Sequence, residues 1–220
     1  DEIDRRVKQA AQILDITEGK EAQSRTLYLA EHDLLTGLPR RELLRGRLRQ
    51  AIAAAKRNGS QLAILFMDLD HFKNINDSMG HDVGDKLLQE VSMRLNNNVR
   101  SVDTVSRQGG DEFVIMLTDI GGIEQVAHVA ANMMQALALP HRFDTHEFNI
   151  TSSIGISLYP SDGEDIDTLI KNADIAMYHA KQSGRNGYQF FSQEMNTRIV
   201  ERLALESSLR KAIDRHEFVL

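Results

Sequence analysis

Two unbroken apolar runs, residues 62–67 and 113–117, each abut a cluster of acids, and this pairing constrains the chain more than any other feature. Apolar runs of five or six residues without alternation mark strands covered on both faces, so their sheet needs helices above and below. Helical patterns stand where such cover is required. Residues 42–56 close on Asn58-Gly59, and residues 84–96 put Leu87, Leu88, Val91 and Leu95 on one side. Residues 124–139 run to Pro140, and residues 166–182 stop at Ser183-Gly184. Phe143 and residues 148–159 predict a hairpin and then a long strand with Ile150, Ser152, Ile154, Ile156 and Leu158 on one face; residues 188–191 predict a short last strand. Residues 31–191 thus read as one α/β domain.

The flanks are different in kind. Residues 1–30 hold a short apolar stretch and then a polar helical run, which suits either a solvated linker helix or a signalling coiled coil. Residues 192–220 predict an amphipathic helix carrying Met195, Ile199, Leu203, Leu209 and Ile213. The chain starts without Met and stops on Val219-Leu220, so it is expected to be a fragment of a larger protein.

A formal net charge of −6 gives no basic face, so a nucleic-acid polymer is not an expected partner. Any polyanionic ligand must be held by local cations or by a metal. The absence of cysteine removes disulfides, thiolate nucleophiles and Cys-rich zinc sites. No signal peptide opens the chain and the longest apolar run cannot span a bilayer, so a cytoplasmic location is expected.

Chemistry concentrates at the ends of the two apolar runs. Asp68-Leu69-Asp70 follows the first, and two carboxylates spaced by one residue project to one side if the strand continues. Such a pair suits a divalent metal, and it also suits a solvated strand terminus. Gly109-Gly110-Asp111-Glu112 precedes the second run. Its glycines permit positive φ and close approach of a ligand to the backbone, although Gly-Gly followed by acids is also an ordinary turn. If the two strands are neighbours, three or four carboxylates meet at one sheet end. Hard oxygen donors of that kind favour magnesium or manganese, which bridge nucleotide phosphates.

The segment Arg107-Gln108-Gly109-Gly110-Asp111-Glu112-Phe113 resembles the signature of the GGDEF family of diguanylate cyclases. The likeness extends in order through residues 32–39, 68–77, 80–85, 153–157, 173–178 and 181–186. It implies a palm-like sheet of the nucleotide-cyclase type, mostly antiparallel and flanked by helices, and condensation of two GTP to cyclic di-GMP with release of pyrophosphate. The resemblance implies that Asp68 and the Leu69 carbonyl hold Mg2+ or Mn2+ with Asp111 and Glu112. Either Asp111 or Glu112 would help remove the 3′-hydroxyl proton, with Gly109 and Gly110 shaping that turn. Asn76 and Asp85 match guanine-recognising positions, Lys181 and Arg185 the triphosphate contacts, and Phe72 and Lys73 a turn whose backbone N–H groups could cradle phosphates. Arg100 and Asp103 match an RxxD product-inhibition site. Residues 1–30 resemble the exit of a PAS sensor and residues 192–220 the opening helix of an EAL phosphodiesterase domain. The expected partners are GTP, cyclic di-GMP, a second copy in a transient homodimer, and covalently attached sensor and EAL domains. The alternative is a catalytically silent domain that binds GTP or cyclic di-GMP and regulates an adjacent EAL domain.

Overall fold

The strand Gln61–Leu69 is buried at every position after its first, so it can only lie at the centre of a sheet with cover on both sides. In the computed structural model of the protein, residues 28–143 and 146–195 are described, and the expectations for the two flanks fall almost wholly outside them. The chain runs α1 (Arg41–Asn58), β1 (Gln61–Leu69), α2 (Phe72–Met79), α3 (His81–Asn97), β2 (Thr104–Gly109) and β3 (Glu112–Ile120). It continues through α4 (Ile123–Ala138), β4 (His141–Phe143), β5 (His146–Phe148), β6 (Ser152–Tyr159), α5 (Ile166–Gln182) and β7 (Gly187–Phe190). The sheet order is β2-β3-β1-β6-β7. Only the β6–β7 pair is parallel, and α5 supplies the crossover that a parallel pair demands. The sheet is therefore mostly antiparallel and flanked by helices. The β4–β5 hairpin stands apart as a separate two-stranded unit.

Alternation along β1 splits the core into two layers. Ala63, Leu65, Met67 and Leu69 face Leu87, Leu88, Val91 and Leu95 of α3 and Val126, Ala130, Met133 and Leu137 of α4. Leu62, Ile64 and Phe66 face Leu44 and Leu48 of α1 and Leu169, Ala173 and Met177 of α5. The sheet lets α5 come very close at Gly155, where an added Cβ would lie 1.9 Å from the Ala173 carbonyl oxygen and 2.0 Å from Met177 N. Asp165 caps α5 by accepting from Thr168 N–H at 2.9 Å. The carbonyls at the end of α4 are met from α3, because Arg94 donates to those of Ala136, Leu139 and Pro140.

Two local expectations needed correction, and one strand was not expected. The segment holding Phe72 and Lys73 is the first turn of a helix, entered from His71 in a left-handed conformation (φ 61°), and not an open turn. Helix α3 begins at His81, three residues before Gly84. Thr104–Gly109 is a strand of its own, hidden in the sequence because its outer half is polar and half-exposed as befits an edge.

Candidate active site

β1 and β3 place Asp68 directly opposite Glu112 in an antiparallel register, so the two side chains share a face. Asp111 sits at the turn joining β2 to β3, and Leu69 N–H points to its carbonyl at 3.4 Å. Gly109 (φ 143°) and Gly110 (φ 54°) both take conformations that favour glycine. Arg107 braces this turn. Its guanidinium donates to the Gly110 carbonyl at 2.8 and 3.0 Å and to Asp33 Oδ1 at 2.9 Å. Burial works against the Asp33 charge, yet hydrogen bonds from Thr36 and Arg107 outweigh it and hold the carboxyl below the ordinary range.

The acids at the sheet end push one another the other way. Burial raises Asp68, a hydrogen bond from Lys181 Nζ at 2.7 Å opposes that, and the charges of Asp111 and Asp70 raise it further. Glu112 is raised by burial first and then by Asp174, Asp68 and Asp111. Asp174, on α5, is raised by burial and partly relieved by Lys181. Four carboxylates and one ammonium thus share one small region. All the acidic donors are hard oxygens, which fits magnesium or manganese. Among the described residues no group of three or more His, Cys, Asp or Glu side chains is gathered to hold an ion by itself.

Asp70 is not the partner of Asp68 that strand alternation implied. β1 ends at Leu69, and Asp70 is buried (4% exposed) beneath β6 and the loop after α5. Lys181 joins the same sheet end through its contact with Asp68. Asn76 lies in α2 and Asp85 in α3, and Asn76 Oδ1 is buried and without a hydrogen-bond partner. The absence of a side chain at Gly84 makes the room for that amide, since a Cβ there would lie 1.9 Å from it. The Phe72 ring is spent in the core, leaving backbone N–H groups of the first helical turn as what Phe72 and Lys73 can offer a phosphate. Lys181 lies in the last turn of α5, and exposed Arg185 follows in a left-handed loop (φ 61°).

Arg100 and Asp103 lie away from this cluster, before the first residue of β2, whereas the Gly109–Gly110 turn begins at its last. The Asp103 side chain is 2% exposed, and its oxygens are occupied by Arg100 N, Nε and Nη2 and by Thr118 N. Arg100 also reaches the Thr118 carbonyl. Its guanidinium side chain is 47% exposed, so within this pair it is the arginine that faces a ligand.

Sequence reasoning missed Asp174, Arg107 and Asp33. Asp174 was within reach, because it stands seven residues before Lys181 and hence on the same helix face.

Residues 30–187 match the family described as diguanylate cyclase, GGDEF domain. The chain belongs to that family. Over 199 residues it is 47% identical to the bifunctional diguanylate cyclase/cyclic di-GMP phosphodiesterase MucR of Pseudomonas aeruginosa, covering 90% of this chain and 29% of that protein. The GGDEF domain of TpbB (YfiN) from Pseudomonas aeruginosa superposes with a TM-score of 0.75 at 37% identity, covering 77% of this chain and 99% of that one. The active GGEEF domain of a diguanylate cyclase from Vibrio cholerae gives 0.66 at 33% identity, covering 71% and 99%. This GGDEF chain spans less than a third of the length of the first curated relatives it matches, at 29%, 26% and 24%.

Proposed function

We propose that this chain is a diguanylate cyclase domain that condenses two GTP molecules into cyclic di-GMP with release of pyrophosphate. The observation that carries the reading is the register that sets Asp68 opposite Glu112, with Asp111 at the adjoining turn and Lys181 Nζ 2.7 Å from Asp68. Asn76 and Asp85 take the guanine. The unpartnered amide oxygen of Asn76 accepts from its N–H edge, and the Asp85 carboxylate does likewise, which leaves adenine mismatched. Lys181, Arg185 and the N–H groups of Phe72 and Lys73 receive the triphosphate. The 3′-hydroxyl oxygen of one GTP bonds to the α-phosphorus of the other, the bond to pyrophosphate breaks, and the hydroxyl proton passes to Asp111 or Glu112. A Mg2+ or Mn2+ ion held by Asp68, the Leu69 carbonyl, Asp111 and Glu112 would neutralise phosphate charge and acidify the attacking hydroxyl.

A single domain offers one such half-site, and a two-fold symmetric product asks for two, so catalysis runs in a transient homodimer. Product feedback acts through Arg100 and Asp103. In the parent protein, residues 1–30 join a PAS-like sensor and residues 192–220 begin an EAL domain, and the domain works in the cytoplasm. Among the described residues no helix is long and apolar enough to cross a membrane.

Purified protein given GTP and magnesium is expected to form cyclic di-GMP at a rate that climbs more steeply than linearly with protein concentration, and Asp111→Ala is expected to abolish it. Folded wild-type protein that binds GTP but forms no product at high concentration would overturn this reading in favour of the silent regulatory domain.

A further inference from the structure

We propose that Asp70 is a positioning residue that sets Arg185 for the triphosphate; this rests on the reading above that Arg185 contacts those phosphates. Three segments distant in sequence converge on the Asp70 carboxylate. Thr151 Oγ1 donates to it at 2.7 Å, Ser153 Oγ at 2.7 Å and the Asn186 N–H at 3.0 Å. The Asp70 N–H in turn donates to the Thr151 carbonyl at 2.8 Å. The end of β1, the start of β6 and the loop after α5 are therefore pinned at one buried point.

That loop needs pinning. Gly184 (φ 114°), Arg185 (φ 61°) and Asn186 (φ 44°) are three successive residues with positive φ. Two of them carry side chains and pay a steric cost there, so the conformation persists only where surrounding bonds enforce it. Two such bonds exist. Arg185 N–H reaches the Ala180 carbonyl at 3.1 Å, which continues the end of α5, and Asn186 N–H reaches Asp70. The second ties the loop to the strand that carries Asp68, two residues away. Remove it, and the Arg185 backbone relaxes out of the left-handed region, carrying its guanidinium off the line of the phosphates.

The hydrogen bonds also separate this role from metal ligation. Thr and Ser hydroxyls can reverse to accept from an amide NH2, while the Asn186 N–H needs an oxygen. Asparagine can supply that oxygen, so Asp70→Asn preserves positioning, although it removes the negative charge and basicity that strong metal ligation or proton acceptance would need.

The test measures affinity for 3′-deoxy-GTP, which lacks the attacking hydroxyl, and for GMP, which lacks the outer phosphates. Asp70→Ala is expected to weaken 3′-deoxy-GTP about tenfold, the size of one misplaced charge-assisted contact, and to leave GMP unchanged. Asp70→Asn is expected to restore both affinity and turnover. In an Arg185→Ala background the Asp70→Ala effect is expected to vanish. Should Asp70→Ala fail to fold, Asp70→Ser serves, since its hydroxyl satisfies a neighbour but is too short to reach Asn186. If Arg185→Ala leaves 3′-deoxy-GTP affinity intact, the triphosphate reading of Arg185 is wrong. If Arg185→Ala weakens binding while Asp70→Ala or Asp70→Ser does not, the positioning role alone is refuted. Loss of turnover in a folded Asp70→Asn protein also refutes it.

Discussion

A Cβ built on Gly84 would lie 1.9 Å from Asn76 Oδ1 and 3.3 Å from Phe72 Cζ, so the chain keeps glycine in a helix where alanine would otherwise be preferred. Gly84→Ala is expected to leave the fold standing, because the propensity gained offsets part of the strain. It should displace the Asn76 amide and cut the preference for GTP over ATP by about tenfold or more, read from competitive binding. Asp174 makes a separate point about charge. Burial holds its carboxyl above the ordinary range, so the folded state binds its proton more tightly than the unfolded state does. Its stabilising contribution is present at low pH and is lost as pH rises through the folded value. Asp174→Asn is therefore expected to raise the melting temperature slightly at neutral pH, with the gain disappearing in acid; a gain that persists in acid would point to packing instead.

At the level of elements, α5 does most to assemble the site, because it brings Asp174 and Lys181 to the acids of β1 and β3. Its approach depends on Gly155. A side chain there would collide with backbone atoms of Ala173 and Met177 that cannot swing away, so Gly155→Ala is expected to cost about 3 kcal/mol or more in chemical denaturation. The β2–β3 turn depends in the same way on the Arg107 fork, which spans the Gly110 carbonyl and Asp33. A lysine has one ammonium for both tasks, so Arg107→Lys is expected to lower turnover at least about tenfold while thermal melting shows a folded protein. How much of this was legible follows from burial. Strands β1 and β3 were plain in the sequence because two-sided cover leaves their middles, residues 62–67 and 113–117, wholly apolar. Helix α2 was not, since Phe72 is its one buried residue and a left-handed His71 starts it. The convergence of Asp68, Asp111 and Glu112 needed only adjacency of the two apolar strands. The task of Asp70 depends on partners more than eighty residues away along the chain, which no local spacing discloses.

For the molecule as a whole, β2 separates the two proposed sites. Six residues at about 3.3 Å each put Arg100 and Asp103 roughly 20 Å from the catalytic turn. The pair is also unequal. Arg100→Ala is expected to abolish product feedback in turnover assays and to lower the melting temperature, because it leaves the buried Asp103 carboxylate without its counterion. Asp103→Ala should in addition cost about 1–3 kcal/mol, because it strips a buried acceptor from Thr118 N–H and from Arg100. Lys181, anchored in α5 and resting on Asp68, is a counterion tethered to the chain. Such an ion need not be recruited from solution, so mutually repelling acids can stay ordered while the site waits. On the reading proposed here, Asp68, Asp111 and Glu112 would hold the divalent ion that a nucleotide brings, which would free the Lys181 ammonium to turn to the phosphates with the local charge nearly balanced.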